Sequence, residues 1–208
     1  MIVNLRGGSG SGKSTVVKEI MKCYDTRIPF FIEGRKQPLW YDLSDSQNPE
    51  GRVLRVLGHY EIPCGGCDTI GAIGEEPAMK VIHRLVREAN NANLHVLYEG
   101  VILTTLAGDL IQMVQEKLPI VVVNLTSDLE TCLRGITARR LAKQGITNPT
   151  DEQTAAMKAS LGESTIKNNI GKLKSAYKTA RQLKAAGASV FDCDREEAVN
   201  LIKETFDL

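Results

Sequence analysis

The sequence contains no apolar run approaching the ~20 residues that a bilayer-spanning helix needs, which leaves no candidate span along it. The segment before the first glycines, residues 1–6, is too short for the apolar region of a secretory leader, so a cytoplasmic location is expected. Aromatic residues are scarce, 5% of 208, and a core of this size needs most of those rings itself. Five cysteines, at 23, 64, 67, 132 and 193, are odd in number and irregularly spaced, which excludes a regular disulfide framework and points to free thiols in a reducing compartment. Neither sign of charge prevails, with 26 basic and 25 acidic residues and a net charge of +1. Composition as a whole therefore gives no sign of a nucleic-acid partner, and local charge has to be examined. Repeats, coiled-coil heptads and low-complexity tracts are also absent. What remains is an ordinary globular chain of a length suited to one domain with a small insertion.

Short apolar runs alternate with helical periodicity. Ile2–Leu5 predicts a buried first strand and Lys13–Tyr24 a helix carrying Val16, Val17, Ile20 and Met21 on one side. Residues 29–32, 39–41 and 53–57 predict strands. A helix entered at Glu76-Pro77, with proline in its first position, carries Met79, Ile82, Val86 and Ala89. Leu94–Tyr98 predicts a strand ending at Glu99-Gly100, Thr105–Lys117 a helix, and Ile120–Leu125 a central strand buried on both faces. Asp128 is placed to cap the next helix, residues 144–151 form a break, and a long helix covers 160–186 before a last strand at 189–191 and a last helix at 196–205. Alternating strands and helices define an α/β domain with a mostly parallel sheet.

Gly7-Gly8-Ser9-Gly10-Ser11-Gly12-Lys13-Ser14 matches G-x-x-x-x-G-K-[ST], with a strand before it and a helix after. Phosphate binding needs successive N–H groups turned into one concavity, and the helix N-terminus adds partial positive charge. The expected nucleotide contacts are Gly8 to Thr15, with Lys13 on the β- and γ-phosphates and the Ser14 hydroxyl on Mg²⁺. ATP and GTP both fit such a cradle. The apolar strand ending in Glu99 offers the carboxylate that would share the metal with Ser14. Phosphoryl transfer to an alcohol also needs a proton acceptor. Asp68, after the Gly65-Gly66 turn, is the first candidate for that base and Glu99 the second. A plain turn residue at 68 and a solvated strand end at 99 are the alternatives. Cys64 and Cys67 form a C-x-x-C, but zinc needs four ligands and only His59 is near, so packed thiols are the simpler reading.

Arg134, Arg139 and Arg140 follow the predicted strand ending at Leu125, where small P-loop kinases carry a lid over the triphosphate. Arg134 is expected to contact nucleotide and Arg139 or Arg140 to neutralise charge in the transition state, since adjacent helical residues cannot both face inward. From Arg134 to Lys184 the chain holds eleven bases and three acids. Lys167, Lys174, Lys178 and Arg181 share one helical face, either a phosphate-backbone track or a solvated surface. Gly34-Arg35-Lys36-Gln37 supplies a second basic loop.

The opening MIVNLRGGSGSGKST, the stretch GRKQPLWY, the segment GHYEIPCGGCDTI, the strand VLYEG and the run LTSDLETCLRGITARR resemble the bacteriophage P-loop kinases that act on 5-hydroxymethyluracil in DNA. The resemblance covers most of the chain, from Met1 to about Asp192. GHYE-x-x-CGGCD is its most specific part, because ATP binding alone does not require it. The resemblance implies a three-layer P-loop fold of nucleoside-monophosphate-kinase type, and a DNA substrate, ATP and Mg²⁺ as partners. It further implies phosphorylation of the 5-hydroxymethyl oxygen, a step that prepares the base for further modification. A single domain over 1–208 is expected, with a β-rich substrate insertion at about 28–62 and a helical lid at about 128–186. Tyr60, Trp40 and Tyr41 are candidates for stacking on an unpaired base, against the need of the core for the same rings. A kinase of free nucleotides or nucleosides, and a P-loop ATPase with no acceptor, are the competing readings.

Overall fold

The computed structural model describes every residue except Pro49, Pro63 and Cys64. Its centre is β1 (Ile2–Arg6), buried at every position. The Gly/Ser loop follows, and α1 (Lys13–Met21) starts inside it. Next come β2 (Thr26–Phe30), β3 (Trp40–Ser44) and β4 (Leu54–Leu57), then α2 (Ala78–Asn91) and β5 (His95–Glu99). Helices α3 (Val101–Thr105) and α4 (Gly108–Gln115) lead to β6 (Ile120–Leu125), and α5 (Leu129–Lys143), α6 (Asp151–Ala159) and α7 (Glu163–Ala185) lead to β7 (Ser189–Cys193) and α8 (Arg195–Phe206).

The seven strands form one sheet in the order β2-β3-β4-β5-β1-β6-β7. From β4 to β7 every pairing is parallel. Numbered among themselves, these five strands run 2-3-1-4-5, the P-loop kinase arrangement. β2 and β3 extend the sheet antiparallel at one edge. Helices α1 and α8 cover one face through Val16, Ile20, Ala198, Ile202 and Phe206. The other face takes α2, α4 and α7 through Val86, Met113 and Leu183. Connections leaving β1 and β5 thus depart to opposite faces. That opens a crevice beyond the carboxyl ends of the two strands, where open α/β sheets bind ligands.

Several elements differ from the sequence expectations. The helix expected over 105–117 is confined to α4, Gly108–Gln115, and a short unexpected helix, α3, precedes it across an extended Leu106. A buried cation explains the break. Arg6, 1% exposed, donates to Thr104 O (2.8 Å) and Leu106 O (2.7 Å), and also reaches Asn4 Oδ1 and Thr179 Oγ1. It therefore takes the carbonyls at the end of α3 and ties β1, α3 and α7 together at the root of the loop. Burial lowers its pKa to about 10, which keeps it charged at neutral pH. Residues 151–159, between the expected break at 144–151 and the expected long helix, form a helix of their own, because Thr150 and Gln153 make a reciprocal capping box. Pro77 stands at the N-cap in extended conformation, one place before the first helical residue. The first edge strand begins at Thr26, earlier than the apolar run suggests. Pro29 is tolerated there because an edge strand needs no ladder donor on its outer side. Tyr60, Trp40 and Tyr41 are all buried. Their rings belong to the core, and the Trp40 ring stacks on Phe30 at 3.9 Å.

Candidate active site

A cleft of about 680 Å³ lies over the crevice between β1 and β5. Its floor is the Gly/Ser loop, and its walls carry Asp68, Glu99, Arg134, Arg139 and Arg195. The loop is held tightly from above by α5. A Cβ on Gly10 would collide with the carbonyl of Cys132, and one on Gly135 with the carbonyl of Gly10. Two glycines facing each other let the backbone of the loop touch the backbone of the helix.

Lys13 is 5% exposed and turns back over the loop. Its Nζ donates to Gly7 O at 2.8 Å and Gly8 O at 2.9 Å. Burial lowers its pKa, opposed by the charges of Glu99 and Asp68. The Ser11 hydroxyl is buried without a partner among the described residues. An orphaned donor inside a ring of loop amides fits a phosphate. Ser14 Oγ donates to Glu99 Oε1 at 2.8 Å. Glu99 is 2% exposed. Burial raises its pKa, while Lys13 and the Ser14 hydrogen bond pull it down. A hydroxyl and a carboxylate oxygen side by side are the hard donors that Mg²⁺ prefers, so these residues fit the metal expected there.

The GHYE-x-x-CGGCD segment is what brings a second carboxylate to this point. His59 forms an isolated antiparallel bridge with Gly66, whose N–H donates to His59 O at 2.8 Å. Glu61 accepts from Tyr41 and Arg27 and faces His59 Nδ1 at 2.6 Å, which ties the loop to β2 and β3. Tyr60 is buried and donates to Leu57 O. Gly66 has φ +80°, and a Cβ there would strike the Glu99 carboxylate. The glycines expected to admit a substrate thus admit the loop itself against Glu99. Asp68 follows on a single turn of tight helix, Cys67–Thr69. Both of its oxygens accept from Val101 N, at 3.0 and 2.8 Å, and Oδ1 also lies 3.3 Å from Ile102 N. The α3 N-terminus therefore holds the carboxylate in place, and its charge acts on Lys13 and Glu99. Cys67 is buried against Leu57 O, and burial pushes its thiol well above the usual range, which suits packing and not redox chemistry. Its partner in the C-x-x-C, Cys64, lies outside the described residues.

Gly66→Ala tests this packing. Left-handed backbone and the collision with Glu99 together should cost about 2–3 kcal/mol. Transfer activity should fall at least tenfold even where the protein stays folded, because Asp68 moves with the loop. A variant with unchanged melting temperature and unchanged turnover would show that the loop tolerates displacement.

Of the lid arginines, Arg134 and Arg139 line the cleft, and Arg139 reaches Ser9 Oγ at 3.4 Å. Arg140 points elsewhere, toward Thr165 Oγ1 at 3.4 Å, and lines an adjoining cavity shared with α7. The expectation that adjacent arginines diverge holds in the geometry, and Arg139 is the one on the cleft. Arg195 on the opposite rim was not singled out as a site residue. Its signal is Asp194-x-x-Glu197, a capping box that starts α8 at the carboxyl end of β7 and so places Arg195 in the first turn, facing the loop.

No protein-family model matches the chain. Among curated proteins it is similar to the 5-hmdU DNA kinase of Pseudomonas phage PaMx11, 36% identical over 204 residues, 98% of this chain and 95% of the relative. It is also similar to the 5-hmdU DNA kinase of Pseudomonas phage M6, 27% identical over 143 residues, 68% and 73% of the two chains. Among solved structures it is similar to a deoxyadenosine kinase from M. mycoides, at 16% identity and TM-score 0.43, covering 100% of this chain and 99% of that one. With 36% identity across nearly its whole length, the chain belongs to the 5-hmdU DNA kinase family.

Proposed function

We propose that the chain transfers the γ-phosphate of ATP to the 5-hydroxymethyl oxygen of 5-hydroxymethyluracil in DNA. The observation that carries the transfer chemistry is the convergence of two carboxylates on the lysine of the phosphate cradle: Glu99 beside Ser14, and Asp68 fixed on the α3 N-terminus. The acceptor rests on family membership, since both curated relatives are DNA kinases by name.

In this reading the chain acts as a single kinase unit. The α5–α7 segment serves as lid, and β2–β3 with the GHYE-x-x-CGGCD loop forms the substrate side. Gly8 to Thr15 cradle the phosphates, with Lys13 on the β- and γ-oxygens. Ser14 and Glu99 would hold Mg²⁺, which supplies charge neutralisation on the phosphate oxygens when bound. The hydroxymethyl oxygen forms its bond to the γ-phosphorus as the bridging bond to the β-phosphate breaks and ADP leaves. Asp68 receives the proton of the hydroxyl. The N–H groups of Val101 and Ile102 aim the carboxylate without a conformational search. Arg139 and Arg134 offset charge spreading over the γ-phosphoryl oxygens. α5, packed on the loop, excludes water.

The test is incubation with γ-labelled ATP and either hydroxymethyluracil-containing duplex or the free nucleotide. Label on the DNA is expected. Label confined to the free nucleotide would reassign the acceptor, and ATP hydrolysis with label on neither would mean no acceptor at all. In the same assay Arg139→Ala should reduce the rate about 10²–10³-fold. Arg140→Ala should reduce it less than tenfold, and equal losses would overturn the assignment of Arg139.

A further inference from the structure

Several basic side chains at the surface of this protein are paired with acids of the chain itself. Lys22 pairs with Glu19, Arg27 with Glu61, Arg84 with Glu76 and Glu88, Arg87 with Glu116 and Lys158 with Glu130. Helix α7 concentrates bases that have no such partner. It carries six bases and one acid, Glu163 in its first turn. Lys167, Lys174, Lys178, Arg181 and Lys184 are exposed. No ion pair or side-chain hydrogen bond among the described residues involves any of the five.

Their orientation follows from what the helix buries. Ala176, Thr179, Ala180 and Leu183 face the body of the protein, and Thr179 Oγ1 donates to Thr104 O at 2.8 Å. Lys174, Tyr177, Lys178 and Arg181 recur at spacings of three and four, so they share the opposite face. There they line an open groove together with Gln182 and Ala185. Tyr177 is 43% exposed in its middle, although aromatic residues are only 5% of the chain and Tyr41, Tyr60 and Tyr98 are buried. From Lys167 to Arg181 the stripe rises about 21 Å, the length of roughly six base-pair steps of one DNA strand. It is also joined to the chemistry. Leu173, one residue before Lys174, packs against Gly8 of the phosphate cradle. Lys172 lines the cavity beside Arg139 and Arg140. The other side of α7 rests on α3, whose N-terminus holds Asp68.

We propose that this face of α7 is the docking surface for the phosphate backbone of the duplex DNA substrate, with Lys174, Lys178 and Arg181 on successive phosphates and Tyr177 against the sugar-phosphate edge. The inference rests on the DNA-kinase reading above and adds where the duplex is held. Unpaired cations on a rigid helix suit a polyanion with regularly spaced charges. Contacts of this kind fix position and carry no sequence information. The stripe therefore anchors any duplex, and selection of hydroxymethyluracil stays with the Asp68 side of the cleft.

The experiment compares the wild-type protein with the Lys174→Ala, Lys178→Ala, Arg181→Ala triple variant. Binding to two duplexes, one with a hydroxymethyluracil and one with thymine in its place, is followed by anisotropy over about 0.05–0.2 M salt. The variant should lose about 2–3 from the slope of log affinity against log salt. It should bind both duplexes about tenfold or more weakly at 0.1 M salt. ATP affinity, and turnover at saturating DNA, should stay at wild-type values. A slope equal to that of wild type overturns the proposal, as does a loss confined to the modified duplex. Should the triple variant not fold, Lys178→Glu alone must lower the slope by about 1 or more. The two failures are distinct. A wild-type protein that leaves DNA unlabelled refutes the acceptor, whereas an active wild type with an unaltered slope in the variant refutes only the surface.

Discussion

Replacing Lys13 by alanine is expected to lower phosphoryl transfer by at least about 10³-fold, by the measure of other charges placed on a transferring phosphoryl group. The lysine is buried at the floor of the cleft, with Nζ held by two loop carbonyls and within the fields of Glu99 and Asp68. Other cations on the cleft stand on its walls and cannot replace it. Stability should change little, within about 1 kcal/mol. Removing a desolvated cation relieves a cost of the same order as the two hydrogen bonds it takes away. Steady-state rates together with thermal melting check both halves. Turnover near wild type would remove Lys13 from the chemistry, and unfolding would show that the lysine is structural.

Asp68→Asn and Glu99→Gln should fail in different ways. Loss of the Asp68 carboxylate should lower kcat about 10²–10⁴-fold, with the Mg²⁺ dependence unchanged. Asparagine keeps an oxygen to accept from Val101 N, so α3 stays capped and the melting temperature should hold. Glu99→Gln should instead move the Mg²⁺ midpoint upward about 10–100-fold, and high Mg²⁺ should recover part of the rate. The buried Glu99 shares its oxygen with Ser14 and not with a substrate-facing donor, which is why the metal should feel its loss first. Titrating Mg²⁺ at saturating ATP and DNA separates the two. The reverse pattern, with Asp68 controlling the metal and Glu99 the rate, would exchange their roles.

Much of this protein is legible residue by residue. The phosphate cradle is local. Eight consecutive residues, Gly7 to Ser14, with a strand behind and a helix ahead specify it, and the pattern is read from spacing alone. Strands such as Ile120–Leu125 are also plain, because a run buried on both faces has no polar alternation to confuse it. Boundaries set by contacts distant in sequence were not legible. The split between α3 and α4 is one case, since the residue that takes the α3 carbonyls, Arg6, lies about a hundred positions earlier. The turn glycines are another. Their small size suggested room for a substrate, but the neighbour that requires Gly66 is Glu99, and no spacing rule relates the two.

The sequence by itself determined the class of chemistry, because a phosphate cradle is built from neighbours in the chain, and its family motifs pointed to the acceptor. Tertiary structure decided where the side chains stand. It placed Asp68 on the α3 N-terminus and set Glu99 against Ser14. It turned Arg139 to the cleft and Arg140 away, and it gathered exposed bases of α7 along one face without acidic partners. The physical reason is the same each time. A side chain's charge acts according to what surrounds it, and those surroundings come from strands and helices that only the fold brings together.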